Sequence, residues 1–294
     1  MFNVPVTYMH EYENVSDALR PVLLREMAAH GVKHLVLSHI FLSRILMEPG
    51  FKQVIRKEVA DAGLDFVDSH APFGPVLDMN CADPALRREM ILRNKLMINI
   101  VAEMGVKTIT IHLGNEHRWP GVSMEKQIDF IRDSLEQLLS EAEKCGVTLC
   151  IENIWFRLST PERLLAYKKE FPTDTLGFCY DSGHANLMQN GKVSRESVVW
   201  DAWAFSGFDE PEWEEDVLQQ MLPHVVTCHL HDNDAVRDRH NMLGCGTVNW
   251  QKVVAQLHEA PRLQCIQSEV LPVRVSKSIH EICDAFAGIG VCGI

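Results

Sequence analysis

The chain of 294 residues contains no run of about 18 apolar residues, which excludes a transmembrane helix. Its opening stretch, MFNVPVTYMHEYENV, has neither a basic start nor an apolar signal core, so a cytoplasmic protein is expected. Basic charge is scarce: 28 Lys plus Arg against 40 Asp plus Glu give a net charge of −12. A partner held through its phosphate backbone needs a basic footprint, so nucleic acid is not the expected partner, and no membrane is either. No C-x-x-C pair occurs among the nine cysteines. That odd, scattered set predicts reduced thiols rather than a disulfide framework. No G-x-G-x-x-G follows the first strand, which removes support for a dinucleotide site there. Linkers and low-complexity tracts are also missing, so residues 1–294 are expected to form a single domain. Composition is ordinary for a globular chain, with 46% hydrophobic and 23% charged residues.

What is present alternates. The spacing predicts strands at Val4–Tyr8, His34–Ser38, Leu64–Asp68, Lys107–His112, Val147–Glu152, Leu176–Asp181, Val225–His231 and Leu263–Glu269. Helical stretches lie between them. In the clearest, Ile128, Ile131, Leu135, Leu138, Ala142 and Cys145 recur at spacings of three and four, and Gly146 follows. A second runs from about Pro84 to Met104 and a third from Ser16 to His30, with Pro21 an awkward early residue. Three times a helix ends in glycine followed at once by a strand: Gly31-Val-Lys-His, Gly105-Val-Lys-Thr and Gly146-Val-Thr-Leu. Eight such strands in a chain of this length predict an α/β fold, a parallel (β/α)8 TIM barrel. One insert stands out, about Val198 to Gln220, with Trp200, Trp203, Trp213 and seven acidic residues from Asp201 to Asp216. It is a candidate lid.

In such a barrel the active site lies at the C-terminal ends of the strands. There the third run ends in Asp68-Ser-His70, the fourth in His112 and the fifth in Glu152-Asn153. The sixth ends in Asp181-Ser-Gly-His184, the seventh in His229-Leu-His231-Asp232, and the eighth in Glu269; Asp238-Arg-His240 follows the seventh. These are nitrogen and carboxylate donors, the set that suits Zn, Mn, Co or Fe. Residues two apart share a strand face, so Cys150 with Glu152, Cys179 with Asp181, and Cys265 with Glu269 point inward. His229 and His231 share a face too, as do Asp238 and His240 if that segment is extended. A lone histidine at a strand end is unremarkable, and His70 or His112 alone reads equally as a hydrogen-bonded core residue. Carboxylates are more telling, because burying one unpaired is costly. Glu152, Asp181 and Glu269 require a cation or three separate bases, and bases nearby are few. A divalent cation is therefore expected. Gly244-Cys-Gly246 reads as a plain turn, whereas Arg157 and Arg237 are candidates for holding an anionic substrate group.

Taken together, I-E-N at the fifth strand, G-F-C-Y-D-S-G-H-A-N at the sixth, H-L-H-D-N-D at the seventh, D-R-H-N-M-L-G-C-G-T-V-N-W after it and S-E-V at the eighth resemble the xylose isomerase-like TIM barrels. That group includes sugar and sugar-phosphate isomerases and epimerases, and endonuclease IV. The resemblance implies one divalent metal held by Glu152, Asp181, His229 and Glu269, with His231 an alternative to His229, and His184 touching substrate. Against the endonuclease-like members it implies up to three zinc ions on His70, His112, Glu152, Asp181, His184, His229, Asp238, His240 and Glu269. The chain departs from those members in its acidity and in H-L-H-D where H-L-N-D is expected. The function expected is a metal-dependent isomerase or epimerase of a sugar or sugar phosphate, with Glu152 and Glu269 as base and acid. His70, His112, Asn153, Trp155 and Arg237 are the expected substrate contacts. A multinuclear zinc phosphoesterase and a single-metal dehydratase are the rivals, and a homo-oligomer is common for such barrels.

Overall fold

The computed structural model describes every residue except 1, 10, 190, 192, 193, 293 and 294. Its strands are β1 (Val6–Tyr8), β2 (His34–Leu37), β3 (Asp65–Ser69), β4 (Thr108–Ile111), β5 (Thr148–Glu152), β6 (Leu176–Asp181), β7 (Val225–Leu230) and β8 (Cys265–Ser268). All pair in parallel in the order β3-β2-β1-β8-β7-β6-β5-β4, with helices between them. The remaining seam, between β3 and β4, is closed by a parallel bridge from His70 to Thr110 and by a 2.6 Å hydrogen bond from Ser69 Oγ to the Thr108 carbonyl. The molecule is a (β/α)8 TIM barrel, closed at a seam that lies next to His70.

Helix ends explain why the strands start where they do. Gly31, Gly105 and Gly146 all have positive φ, a conformation open to glycine without a Cβ penalty. Each lets the following valine bond five residues back: Val32 to Met27, Val106 to Val101 and Val147 to Ala142. Pro21 is accommodated because the helix starts only at Arg20, placing the proline in a first turn that needs no N–H from it. The strands β4, β6, β7 and β8 are buried at every position, as parallel strands covered on both faces must be. Glu269 lies just beyond β8; its N–H still bonds the Leu230 carbonyl while its side chain turns to the barrel mouth.

Inside the barrel sits Asp68, fully buried, accepting from Thr108 Oγ1 at 2.5 Å and Thr227 Oγ1 at 2.8 Å. Its charge acts on Cys150, Cys179 and Cys265, so the small thiols do fill the interior beneath the strand ends. Burial raises the Asp68 carboxyl above its ordinary value despite these bonds.

The 198–220 insert is not a lid. It forms helices Val198–Phe205 and Val217–Met221, and none of its residues lines the central cavity. Trp203 is 1% exposed and donates Nε1 to the Trp155 carbonyl at 3.0 Å. Leu187, Val199, Ala202 and Trp203 make a small second core on which Trp155 and Phe156 rest. Indoles bury more apolar area packed this way than they would hanging over solvent. No helix among the described residues is long and apolar enough to cross a membrane.

The loop after β7 is held from within. Asp232, fully buried, accepts from the backbone of Gly244 at 2.9 Å and Val248 at 3.2 Å, and from Trp250 Nε1 at 2.9 Å. The Gly244–Gly246 stretch is thus a turn, and a Cβ at Gly246 would fall 2.1 Å from the Asn233 carbonyl oxygen. Asp232→Ala leaves these donors unmet and is expected to cost at least about 2 kcal/mol, seen as a melting point lower by roughly 5 °C. An unchanged thermal transition would show that the loop is held otherwise.

Candidate metal centre

The strand ends converge on one ring of donors. His229 Nδ1 lies 3.1 Å from Glu152 Oε1, 3.2 Å from Glu269 Oε1 and 3.9 Å from Asp181 Oδ2. Three carboxylates therefore surround a single imidazole nitrogen. On the β3–β4 side, His112 Nε2 stands 2.9 Å and His70 Nε2 3.7 Å from Glu152 Oε2. On the other side, His231 Nε2 lies 3.2 Å from Asp181 Oδ2 and 3.7 Å from Asp238 Oδ1. His184 and His240 face Asp238 at 3.7 and 3.0 Å. Ligand atoms lie within 4.8 Å of one another in four overlapping groups: His70–Glu152–His229, Asp181–His229–Glu269, Asp181–His184–His231 and His231–His240–Glu269.

Tautomers decide what this ring can hold. His70 Nδ1 bonds the Ala71 carbonyl at 2.7 Å, His184 Nδ1 the Asn153 carbonyl at 2.9 Å, and His240 Nδ1 the Glu269 carbonyl at 2.9 Å. A carbonyl only accepts, so each Nδ1 must donate. Each neutral ring then turns its Nε2 lone pair toward a carboxylate oxygen. Two acceptors face each other stably only with a cation between them, either a proton or a metal ion. Backbone-anchored imidazoles of this kind are the usual outer support of metal ligands. His229 Nε2, His231 Nδ1 and Asp238 Oδ1 are buried without a hydrogen-bond partner, so the protein leaves ligand capacity unspent here. The residues fit a divalent ion.

Electrostatics point the same way. Burial opposes the charged form of His229, yet Glu269 and Glu152 outweigh it and push the imidazole up to about 10. In His184, burial is likewise overcome by Asp181 and Asp238, and the ring is held well above the ordinary value. Glu152, although buried, is held well below the carboxylate range by His229, His112 and His70. Protons on His229 and His184 therefore compete with a cation for the same nitrogens.

The scaffold shows how the ring is aimed. The Asn153 amide bonds the backbone N–H and C=O of Asp181 at 2.8 and 3.0 Å, tying β5 to β6 at the level of the ligands. Asn153 does not line the cavity; it positions Asp181 and, through its carbonyl, His184. His240 carries a φ of 51°, so the 238–240 segment is not extended, and this left-handed turn swings His240 back onto Asp238 and against the His231 ring 3.9 Å away. Gly183 lies flat beneath His231: a Cβ there would come within 2.0 Å of Cε1.

Above the ring opens a cavity of about 570 Å³ lined by His70, His112, Glu152, His184, Asp238 and Glu269 among others. Trp155 lines it as expected. Arg237 does not; it is exposed in the β7 loop, and the arginines on the lining are Arg118 and Arg274. Arg157 packs its guanidinium on Phe208, 3.7 Å from the ring centre. Sequence reasoning missed Glu11, Glu13, Phe73 and Asp78 on the cavity wall. The only available signal was the acidic Glu11-x-Glu13 pair just after β1.

Two measurements follow from this geometry. At pH 7, with His229 raised to about 10, ion binding must displace its proton; as pH falls, protons compete better and affinity drops. Zinc added to metal-free protein in weak buffer is thus expected to release at least one proton per chain, and no release would remove His229 from the site. Gly183→Ala should displace His231 and lower metal content per chain by elemental analysis, with the fold intact by circular dichroism.

The model of the xylose isomerase-like TIM barrel family matches residues 11–264. An uncharacterized protein of Methanocaldococcus jannaschii is 26% identical over 201 residues, 65% of this chain. The chain spans 59% to 64% of the length of the curated relatives it matches. Among solved structures, a D-tagatose 3-epimerase-like protein superposes with a TM-score of 0.73 at 19% identity, covering 97% of this chain and 98% of its own. IOLI protein with a bound zinc atom superposes at 0.68 with 16% identity, covering 98% and 97%. With the family pattern running through most of the barrel, the chain belongs to the xylose isomerase-like TIM barrel family.

Proposed function

We propose that the protein is a divalent-metal-dependent sugar isomerase or epimerase. The observation that carries this reading is the pair Glu152 and Glu269, each within about 3.2 Å of His229 Nδ1, at the floor of a cavity of hexose-holding size. Two carboxylates flanking one point suit removal of a carbon-bound proton on one face and its return on another. A bound divalent ion supplies Lewis acidity that makes that proton removable. Glu152, held ionised by its histidines, takes the role of base. Glu269 takes the role of acid, its carboxyl fixed by Gln267 Nε2, which donates to Oε1 at 2.8 Å. His184 presents Nε2 to the cavity and positions a hydroxyl, while Trp155 and Phe156 shed water from the reacting end. The fold neighbour named for D-tagatose 3-epimerase supports a ketose as substrate, and the zinc-bearing neighbour supports zinc.

A second reading has its own support. The donors outside the four-residue core, His70 and His112 on one side and His184, Asp238 and His240 on the other, are enough for further ions. Such a centre suits hydrolysis of a phosphate ester.

The two readings separate on metal-loaded protein in D2O. Isomerisation puts deuterium on the carbon beside the ketose carbonyl, and Glu269→Gln is expected to slow that exchange at least about 100-fold while the fold persists. Three zincs per chain with phosphate release, and no deuterium incorporation, would instead establish the hydrolase.

A further inference from the structure

The loop after β1 brings Glu11, Glu13 and Asn14 to the cavity wall, away from the grouped donors. Glu11 has a partner, since its Oε2 accepts from Asn14 Nδ2 at 2.6 Å. Glu13 has none for its Oε2. The residue is 7% exposed, and that oxygen is buried without a hydrogen-bond partner. Burial, opposed by a hydrogen bond from its own backbone and helped slightly by the Glu11 charge, raises its carboxyl to about 7. Among the described residues no base offsets it. A buried acid that served only the fold would be paired. One that leaves an oxygen unpaired on a cavity wall is placed for a ligand.

The chemistry of that ligand follows from the group. A neutral carboxyl offers one O–H donor and a carbonyl acceptor, the complement of a sugar hydroxyl. An ionised one still accepts from that hydroxyl and repels a phosphate. Asp78, a further buried acid on the lining outside the donor ring, accepts from Gly74 N at 2.9 Å and adds to the negative potential. The arginines on the lining, Arg118 and Arg274, are both exposed, where water screens them.

We propose that Glu13 hydrogen-bonds a hydroxyl of an uncharged sugar and turns the cavity away from phosphorylated sugars. This deepens the isomerase reading and rests on it.

Zinc-loaded wild type, Glu13→Gln and Glu13→Leu are titrated by calorimetry with D-fructose, D-tagatose and their 6-phosphates. The wild type is expected to bind at least one free ketose tenfold or more tighter than its phosphate. Glu13→Leu, losing one hydrogen bond, should weaken that ketose about fivefold. Glu13→Gln keeps a donor and an acceptor without the charge, so the ketose should bind within about twofold while discrimination against the phosphate narrows at least fivefold. Should Glu13→Leu fail to fold, the nearly isosteric glutamine variant still decides through the phosphate ratio. Ketose binding that ignores both substitutions, or a wild type that prefers the phosphate, overturns the Glu13 proposal alone. A wild type that binds no ketose and no ketose phosphate overturns the sugar reading and this proposal with it.

Discussion

Three buried carboxylates, Glu152, Asp181 and Glu269, meet the half-buried Asp238 at one end of the barrel. Ionised acids at this spacing repel, and burial adds a desolvation cost that no backbone arrangement removes. Positive charge must enter. The chain supplies imidazoles rather than lysines or arginines, and that choice matters. An arginine would neutralise the acids permanently, whereas an imidazole can surrender its proton to a metal and remain bound. The ring is thus stable with protons and convertible to a metal centre.

Convertibility demands that each imidazole keep its place when the proton leaves. The carbonyls of Ala71, Asn153 and Glu269 do this for His70, His184 and His240. Behind them stand residues with no chemical role. Asn153 fixes the spacing of β5 and β6, Asp232 gathers the loop that carries Asp238 and His240, and Gly183 yields the room His231 needs. The positive φ of His240 is the one backbone strain inside the ring, tolerated because its side chain is held on both nitrogens.

Much of this was legible in the sequence, for a physical reason. Parallel strands buried on both faces leave continuous apolar runs, and the glycines that end three of the preceding helices, Gly31, Gly105 and Gly146, mark where the next run begins. A polar residue closing such a run goes to the barrel mouth or, like Asp68, into the interior, so Glu152, Asp181 and Glu269 stood out by position while the choice between His229 and His231 did not. Loops obey no such period. Glu13, Phe73 and Asp78 reach the cavity through chain paths that spacing does not encode, and Arg237 points to solvent for the same reason. Asp238 and His240 meet through a left-handed residue, not through strand alternation. The 198–220 segment misled because tryptophans among acids suit a lid and a satellite core equally. Only the packing of Trp203 beneath Trp155 distinguishes them.

Specificity and chemistry therefore have different origins in this molecule. The donor ring grows from strand ends, whose positions the barrel dictates, and such a ring serves proton transfer or phosphoester hydrolysis alike. What faces the ring grows from loops. Trp155 is propped by the insert, Phe73 stacks on His112 with ring centres 4.7 Å apart, and Glu13 stands buried beyond them. A phosphate ester brings at least one full negative charge to a wall whose buried charges are acidic, and the exposed arginines must offset that through water. Which ligand the cavity admits is thus set by the loops, whereas the ring sets only what the reacting atoms meet.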